Sequence, residues 1–323
     1  MKSILIKFFV LFPLFYYLPA TTKSQSVKIS GRVIDNDTKK GLSYANIMVL
    51  HCANGTTSDK EGYFELMYDG CFTHDTIVFS YVGYKSKKIC INKIGNSPLR
   101  IQLLHQTFNL EEVVIRSDLM SKEEKITVVN KFKKRNCFIR YAPVDSISSN
   151  HWIPTRPKEP TIEAIYFPYE PEYLNYNRIK EVWLSVSNFS LPATFRLRII
   201  KAGKNVKPNV DLLSIPLIIK STESKQLIKV NLEQYNLTID SNGIYIGFEL
   251  LIIPDNLTSI EVEDETCDLY SPYLNYVKSE DSCQNWIYSK GRWRTNNQKV
   301  STNYKGKNKK KMYYIPAISI VIH

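Results

Sequence analysis

Residues 27–35, Val27-Lys28-Ile29-Ser30-Gly31-Arg32-Val33-Ile34-Asp35, decide the fold of the first third of this chain. Val, Ile and Gly occupy the odd positions of its first seven residues, and Lys, Ser and Arg occupy the even ones. A period of two over this length predicts a half-buried β-strand. The polar run 35–41 that follows predicts a turn, because Asp, Asn and Thr hydrogen-bond their own backbone.

The same alternation of short strands and turns continues to residue 116. Further strand-like runs lie at residues 45–50, 56–58, 63–66, 75–84, 86–91 and 99–103. The chain as a whole contains 21 Tyr and 14 Phe, which favour strands over helices. Many short strands at close spacing predict an antiparallel β-sandwich.

These runs resemble, in order, the motifs of the carboxypeptidase-regulatory-like domain. That family is a small transthyretin-like (prealbumin-like) β-sandwich common in exported proteins of Bacteroidetes. The resemblance rests on residues 29–35, 41–47, 55–64, 75–84 and 110–115. We expect Phe64, Phe79 and Tyr81 to fill the space between the two sheets. The resemblance does not imply carboxypeptidase activity, because the family is the accessory part of those enzymes.

The first 24 residues predict a secretory signal peptide. A basic start precedes an apolar run, and small residues then allow cleavage after Thr22 or Ser24. Lys7 and Pro13 interrupt the apolar run, which favours a leader over a membrane anchor. We therefore expect an exported protein that is periplasmic, outer-membrane-associated or extracellular.

Residues 117–160 predict a linker that contains a short helix. Ser121-Lys122-Glu123-Glu124 is a capping-box pattern, and Ile126, Val129 and Phe132 recur every three residues. Prolines at 154, 157 and 160 then mark the start of another unit.

Strand patterns return in the second half of the chain. Phe195, Leu197 and Ile199 alternate with two arginines, and Asn-rich and Pro-rich connections separate the strands. This half resembles the β-sandwich that often follows the regulatory-like domain, and it predicts a larger, jelly-roll-like sandwich. The predicted protein is all-β, with a signal peptide at 1–24, a small sandwich at 25–116, a helix and linker at 117–160 and a larger sandwich at 161–323.

The six cysteines of an exported chain predict disulfides. We pair Cys267 with Cys283 as a first hypothesis and Cys52 with Cys71 as a second, and buried free thiols are the alternative. The cysteine spacing matches no zinc pattern, and the five histidines form no H-E-x-x-H motif. We therefore predict no metal site and no cofactor.

Aromatic and basic residues near the C-terminus form the predicted ligand-binding set. Its members are Trp286, Tyr288, Arg292, Trp293 and Arg294. Aromatic rings on a sandwich stack on sugar rings, and arginines bind the sugar hydroxyls. In the alternative interpretation the two tryptophans pack under a strand edge.

The net charge of +12 is concentrated locally. Nine Lys and Arg residues and no acidic residue occupy residues 290–311. This basic segment suits an anionic membrane surface or a surface glycan, and a solvated hairpin loop is the alternative. A secretory leader argues against nucleic acid as the partner.

No motif in the chain predicts catalysis. The sequence contains neither a G-x-S-x-G elbow nor a phosphate-binding G-x-x-x-x-G-K-[ST] loop. We therefore predict no catalytic residues and a non-catalytic exported binding or assembly module of the bacterial cell envelope. Its expected partners are an envelope protein, a surface glycan or an anionic membrane surface. The alternative is a carbohydrate-active enzyme, or its sugar-binding accessory protein, with its site in the C-terminal sandwich.

Overall fold

The structure is a computed structural model, and it describes most of the chain after residue 26. The described residues are 27–52, 54–68, 74–95, 97–106, 127–139, 141–143, 152–154, 159–171, 177–262, 265–280, 283–296, 299–301 and 311–323. Within these ranges every regular element is a β-strand or a short 3-10 turn, which confirms the all-β prediction. None of the helical segments in this part of the chain has the length and apolar character needed to cross a bilayer.

Eight strands lie among the described residues of the first unit. They are β1 (Val27–Asp35), β2 (Asn46–Val49), β3 (Gly55–Thr57), β4 (Tyr63–Tyr68), β5 (Thr76–Ser80), β6 (Tyr84–Lys85), β7 (Lys87–Cys90) and β8 (Leu99–His105), with a 3-10 turn at Ile91–Lys93. One sheet has the order β4-β1-β8-β6 and the other β3-β2-β5-β7.

The core of the first unit lies between its two sheets. Phe64 and Phe79 are buried, and their ring centroids lie 5.5 Å apart in an edge-to-face contact. Tyr81 is half-buried against the same core. Gly31 lies where β1 runs parallel to β8, and any Cβ there would overlap the carbonyl oxygen of Leu99. The alternation in residues 27–35 is therefore that of a sandwich strand, with a glycine at a point of close backbone approach.

Nineteen strands follow among the described residues of the second unit. They are β9 (Thr127–Val129), β10 (Tyr141–Pro143), β11 (Trp152–Pro154), β12 (Thr161–Phe167), β13 (Ile179–Ser187), β14 (Ala193–Ala202), β15 (Pro208–Asp211), β16 (Leu217–Ser221), β17 (Lys225–Asn231), β18 (Ile244–Leu250), β19 (Leu257–Val262), β20 (Glu265–Tyr270), β21 (Tyr273–Leu274), β22 (Tyr276–Ser279), β23 (Asn285–Ser289), β24 (Arg292–Thr295), β25 (Lys299–Ser301), β26 (Lys311–Pro316) and β27 (Ile318–Ile322). The 3-10 turns among its described residues are Lys134–Asn136, Glu233–Tyr235 and Pro254–Asn256.

Two sheets of the second unit pack face to face. A seven-stranded sheet has the order β15-β14-β18-β12-β23-β24, with β16 also paired to β14. A five-stranded sheet has the order β17-β13-β27-β9, with β21 also paired to β13. The chain crosses between the sheets from β12 to β13 and back to β14, and it crosses again from β16 to β17 and back to β18. This arrangement confirms the larger all-β sandwich that the sequence predicts for the second half of the chain, and its jelly-roll character stays a prediction.

The predicted linker helix is wrong for the residues that the structure describes. Thr127–Val129 is a strand that pairs with β27, and only one 3-10 turn follows, at Lys134–Asn136. The β-branched residues Thr127, Val128 and Val129 favour strand geometry, and the edge of β27 offers them unpaired backbone groups. The capping-box residues 121–124 lie outside the described residues.

Candidate functional site

The seven-stranded sheet has one apolar face and one face that carries charged and aromatic side chains. Phe195 and Leu197 of β14 point into the core between the sheets. The alternating positions Arg196 and Arg198 point the other way, and the strand register places Arg196 directly opposite Glu249 of β18. We call this second side of the sheet the outer face. Successive side chains on a strand alternate between faces, so the outer face is a direct consequence of the sequence pattern.

The first unit packs against this outer face. The amide of Thr57 donates to the carbonyl oxygen of Ile252 at 3.2 Å, and the amide of Ile252 donates to Oγ1 of Thr57 at 3.0 Å. The guanidinium of Arg196 donates to the backbone carbonyl oxygen of Tyr44, and its carbon lies 5.6 Å from the ring centroid of Tyr81. The two sandwiches therefore meet through hydrogen bonds and through a cation–π contact.

A cleft of about 220 Å³ remains between the two units. The first unit lines it chiefly with hydroxyl and amide side chains and with tyrosines, and the second unit lines it with a charged cluster and two further aromatic residues. The principal lining residues are Asn46, Ser80, Tyr81, Tyr84 and Gln106 from the first unit and Arg196, Arg198, Asn209, Asp211, Tyr288 and Trp293 from the second. Neither sandwich forms this cleft alone.

Arg196, Arg198 and Asp211 line the cleft, and the buried Glu249, which does not line it, pairs with both arginines. Nη1 of Arg196 lies 3.0 Å from Oε1 and 3.1 Å from Oε2 of Glu249, and both side chains are fully buried. Arg198 donates from Nη1 to Oε2 of Glu249 at 2.7 Å and from Nε to Oδ1 of Asp211 at 2.6 Å. Two cations and two carboxylates thus balance one another.

Glu249 remains ionised inside this cluster. Burial opposes its ionisation, but attraction to Arg196 and Arg198 and a hydrogen bond from Asn46 outweigh that effect. The pKa of Glu249 is therefore lowered despite complete burial. A buried carboxylate in such a network serves to fix the geometry of its neighbours.

A second polar cluster orients Tyr84 at the edge of the cleft. The hydroxyl of Tyr84 donates to Oδ2 of Asp35 at 2.5 Å, and the tyrosine ring lies 4.1 Å from the His105 ring between centroids. This hydrogen bond and the amide of Thr38 hold the pKa of Asp35 well below its usual range. Burial, followed by the contact with Asp35, raises the pKa of Tyr84. The hydroxyl of Tyr84 is therefore protonated at neutral pH, and its hydrogen bond to Asp35 fixes its position.

The structure divides the predicted ligand-binding set between two faces of the β23–β24 hairpin. Tyr288 pairs with Trp293 across the hairpin, and both line the cleft with ring centroids 5.3 Å apart. Trp286 shares their face and packs, half-buried, on a small cluster that includes Tyr245. Arg292 and Arg294 lie on the opposite face and are exposed. The structure therefore brings together the aromatic residues of the set but separates them from its arginines.

The arginines that do reach the cleft are Arg196 and Arg198, which the sequence did not single out as site residues. One signal was present in the sequence. Glu249 stands between the apolar residues Phe248 and Leu250, as Arg196 stands between Phe195 and Leu197. Charged residues are almost never buried unless they are paired. An arginine and a glutamate that each lie between apolar residues of a strand therefore indicate an ion pair.

The structure does not form the predicted Cys267–Cys283 disulfide. Cys283 is a free cysteine, and burial raises the pKa of its thiol to about 11. The side chain of Cys267 lies outside the described residues. Sγ of Cys52 donates to Oδ2 of Asp75 at 3.6 Å, and Cys71 is not among the described residues, so the second pairing stays a prediction.

The structure describes the basic segment at residues 290–311 only in part. Residues 302–310, which hold four lysines of the basic segment, are outside the described residues. Across the part of the chain that the structure describes, no group of three or more His, Cys, Asp or Glu has the arrangement of a metal site.

Fold and site together define an all-β protein of two sandwiches with a small cleft between them. Residues 29–115 match the family model of the CarboxypepD_reg-like domain. The first unit is therefore a carboxypeptidase-regulatory-like domain, which is a regulatory, non-catalytic type of domain, and the resemblance seen in the sequence is confirmed. A search of the curated proteins finds no match to the chain.

Proposed function

We propose that this protein is an exported, non-catalytic binding module of the bacterial cell envelope, and that the cleft between its two units is the binding site. The observation that carries the proposal is the cleft itself, a concave surface built from both units around a balanced charge network. Concave sites between domains are common places for ligands. The predicted leader at residues 1–24 supports export.

The carboxylates of the cleft do not suit hydrolysis of a glycosidic bond. That reaction needs one carboxylic acid with a raised pKa and a second carboxylate free to act as nucleophile or base. The pKa of Glu249 is lowered, and both oxygens of Asp211 accept hydrogen bonds from Arg198. A binding role therefore agrees better with these residues than a carbohydrate-active enzyme does.

The sugar-binding accessory protein remains the second candidate. Tyr288 and Trp293 favour it, because two aromatic residues of the predicted set line the cleft. An envelope protein, a surface glycan and an anionic membrane surface remain the expected classes of partner.

The proposal predicts that envelope material binds at the cleft. Protein lacking the leader would be immobilised and exposed to an envelope extract, and the retained protein, glycan and lipid would be quantified. We expect Trp293→Ala to lose a retained component that the unaltered protein keeps. Trp183→Ala is the matched control, because Trp183 lies on β13 of the other sheet, with the Lys229 ammonium 4.2 Å from its ring centroid.

Two results would overturn the proposal. One is retention that Trp293→Ala and Trp183→Ala leave equally unchanged. The other is turnover, measured as release of new reducing ends from oligosaccharides, that Trp293→Ala reduces.

A further inference from the structure

One loop of the second unit exposes apolar side chains although the surrounding protein holds its backbone in place. Residues 188–192 join β13 to β14, and we call them the tip loop. Within it, Phe189 is 41% exposed and Leu191 is 51% exposed. Single apolar residues are common on protein surfaces, but several that lie close together mark an interaction site.

Two buried polar residues fix the backbone of the tip loop. Oγ of Ser271 accepts from the amides of Phe189 and Ser190 at 2.9 and 3.2 Å. Asn256 holds the start of β14, because its Oδ1 accepts from the amide of Thr194 at 2.8 Å and its Nδ2 donates to the carbonyl oxygen of Thr194 at 2.6 Å. Both Ser271 and Asn256 are fully buried. These bonds keep the loop in one conformation with its apolar side chains in solvent.

Neighbouring residues extend the apolar surface. Oγ of Ser190 donates to the carbonyl oxygen of Asn256 at 3.3 Å, and the next residue, Leu257, is also exposed. The ring of Phe189 contacts Tyr273 edge to face, with the ring centroids 5.4 Å apart. Side chains from three separate segments therefore meet at this end of the second unit.

A basic stretch lies beside the tip loop. Residues 131–136 hold four exposed cations and no acidic residue. The cations are Lys131, Lys133, Lys134 and Arg135. Nζ of Lys134 lies 3.5 Å from Oε2 of Glu223, and the side chain of Asn188 donates to the backbone carbonyl oxygen of the same Glu223. Glu223 therefore joins the basic stretch to the tip loop.

The charge of this surface is positive. Residues 222–224 and the 3-10 turn Pro254–Asn256, which both contact the tip loop, carry one acidic residue each, Glu223 and Asp255. Four cations therefore face two carboxylates. Further acidic residues of the β19–β20 hairpin accept hydrogen bonds from their own neighbours, as Asp268 does from Ser259 at 2.7 Å.

This combination of features matches an anionic bilayer better than a protein partner. Surfaces that bind bilayers bury apolar side chains at the boundary between headgroups and acyl chains, and neighbouring Lys and Arg residues are attracted to anionic lipids. A stable protein complex instead buries roughly 800 Å² on each partner, which a few partly exposed side chains do not supply.

From these observations we infer that the tip loop docks this protein on an anionic lipid bilayer. Phe189 and Leu191 enter the boundary between headgroups and acyl chains, and the four cations of residues 131–136 bind lipid phosphates. This inference deepens the proposed function by naming an anionic membrane as a partner. It rests on the proposed export but not on the cleft, which other residues line.

Cosedimentation with vesicles tests the inference. The vesicles contain phosphatidylcholine alone or phosphatidylcholine and phosphatidylglycerol in equal parts, and the protein lacks residues 1–24, whose apolar run would itself bind lipid. We expect binding to the anionic vesicles, and we expect Phe189→Ala/Leu191→Ala to weaken it at least about tenfold. Met67→Ala/Leu104→Ala is the matched control, because both side chains are similarly exposed on the first unit.

A second pair of variants tests the cations. Lys133→Glu/Arg135→Glu should weaken binding to the anionic vesicles at least about tenfold, and the loss should shrink as salt is added. Lys85→Glu/Lys87→Glu makes the same charge change at exposed positions of the first unit, and we expect a smaller loss from it. Equal losses from the two pairs would contradict the role of the basic stretch.

Three results would overturn the inference. One is binding that Phe189→Ala/Leu191→Ala and its control leave equally unchanged, which would assign the attraction to other cations such as those of residues 290–311. Another is equal binding to both kinds of vesicle. The third is no binding to either, and the envelope-extract experiment with Trp293→Ala would still decide the role of the cleft independently.

Fluorescence quenching tests insertion directly. Bromine atoms on lipid acyl chains quench tryptophans that reach them, and the four tryptophans of the chain lie outside the tip loop. We expect anionic vesicles of brominated lipid to quench Leu191→Trp more strongly than the unaltered protein, and to quench Leu104→Trp no more than the unaltered protein. Equal quenching of the two variants would contradict insertion of the tip loop.

Discussion

At the scale of single residues, the buried ion pair between Arg196 and Glu249 is the feature whose stability most needs a physical explanation. Both side chains are fully buried, at the boundary between the two units. Removing two charges from water costs several kcal/mol per ion, and close contact with good hydrogen-bond geometry must offset that cost. Removing one partner of the pair is therefore expected to cost more stability than replacing both partners together.

The first prediction concerns this pair. Arg196→Met leaves Glu249 buried with only Arg198 as a cationic partner, and we expect the free energy of unfolding to fall by about 3–5 kcal/mol. The double variant Arg196→Met/Glu249→Met removes both charges, so we expect it to regain much of that loss. Chemical denaturation of the three proteins provides the measurement.

Arg178→Met is the matched control. Arg178 is exposed, and its guanidinium bonds Oδ1 of Asn236 at the protein surface. We expect the control to change the free energy of unfolding by no more than about 1 kcal/mol. Equal effects of Arg196→Met and Arg178→Met would contradict the structural role of the buried pair.

At the scale of elements, the β23–β24 hairpin places the aromatic wall of the cleft. Its two-residue turn, Lys290 and Gly291, has φ values of 50° and 69°. Positive φ at both positions is the geometry of a type I′ turn, which joins antiparallel strands without splaying them. A Cβ at Gly291 would also overlap the side chain of Leu50 in the first unit. The turn therefore sets the hairpin register and touches the first unit.

The second prediction is that Gly291→Ala destabilises the protein. The left-handed conformation costs a non-glycine residue about 1–2 kcal/mol, and the overlap with Leu50 adds to that cost. Gly95→Ala is the matched control, because a Cβ at Gly95 would meet no atom within 4 Å. Denaturation curves should shift for Gly291→Ala alone, and identical shifts for both variants would contradict this account of the turn.

At the scale of the whole molecule, Glu159 marks the contact between the two units. It is 4% exposed, its carboxylate accepts from the amide of Lys290 at 3.1 and 3.2 Å, and a Cβ on Gly55 would lie 3.1 Å from its Cβ. Burial raises the pKa of Glu159 to about 7, and the hydrogen bond from Lys290 only partly opposes this effect. The packing of one unit on the other thus creates a carboxyl group that titrates near neutral pH.

The third prediction is a pH dependence of stability that Glu159 controls. Its pKa is higher in the folded than in the unfolded protein, so the folded protein binds the proton more tightly. The associated stability is present below about pH 4.5 and is lost as the pH rises towards 7. We compare the free energy of unfolding of Glu159→Gln with that of the unaltered protein. As the pH is raised from 5 to 8, this difference should shift in favour of Glu159→Gln by up to about 3 kcal/mol.

Denaturation at a series of pH values measures this difference. Glu170→Gln, at an exposed position, controls for the loss of one negative charge. We expect its stability curve to run parallel to that of the unaltered protein. A parallel curve for Glu159→Gln as well would contradict the role assigned to Glu159.

At most positions the local sequence pattern predicted the correct type of secondary structure, but in the linker it predicted a helix where the structure has a strand. The alternation in residues 27–35 and 195–199 predicted β1 and β14, because a strand sends successive side chains to opposite faces. In the linker, the period of three at Ile126, Val129 and Phe132 predicted a helix, whereas residues 127–129 form a strand. The backbone groups of β27 favoured strand pairing there, and the periodicity of the local sequence carries no information about that partner strand.

The sequence by itself determined the all-β class, the regulatory-like domain and the polar face of the second sandwich. Arg196 and Arg198 had equivalent positions in that pattern, yet Arg196 is fully buried and Arg198 retains 14% exposure. Only the tertiary structure decided this difference, because alternation shows where a side chain points and does not show what covers it. The docking of one sandwich on the other covers Arg196, raises the pKa of Glu159 and leaves the cleft between them.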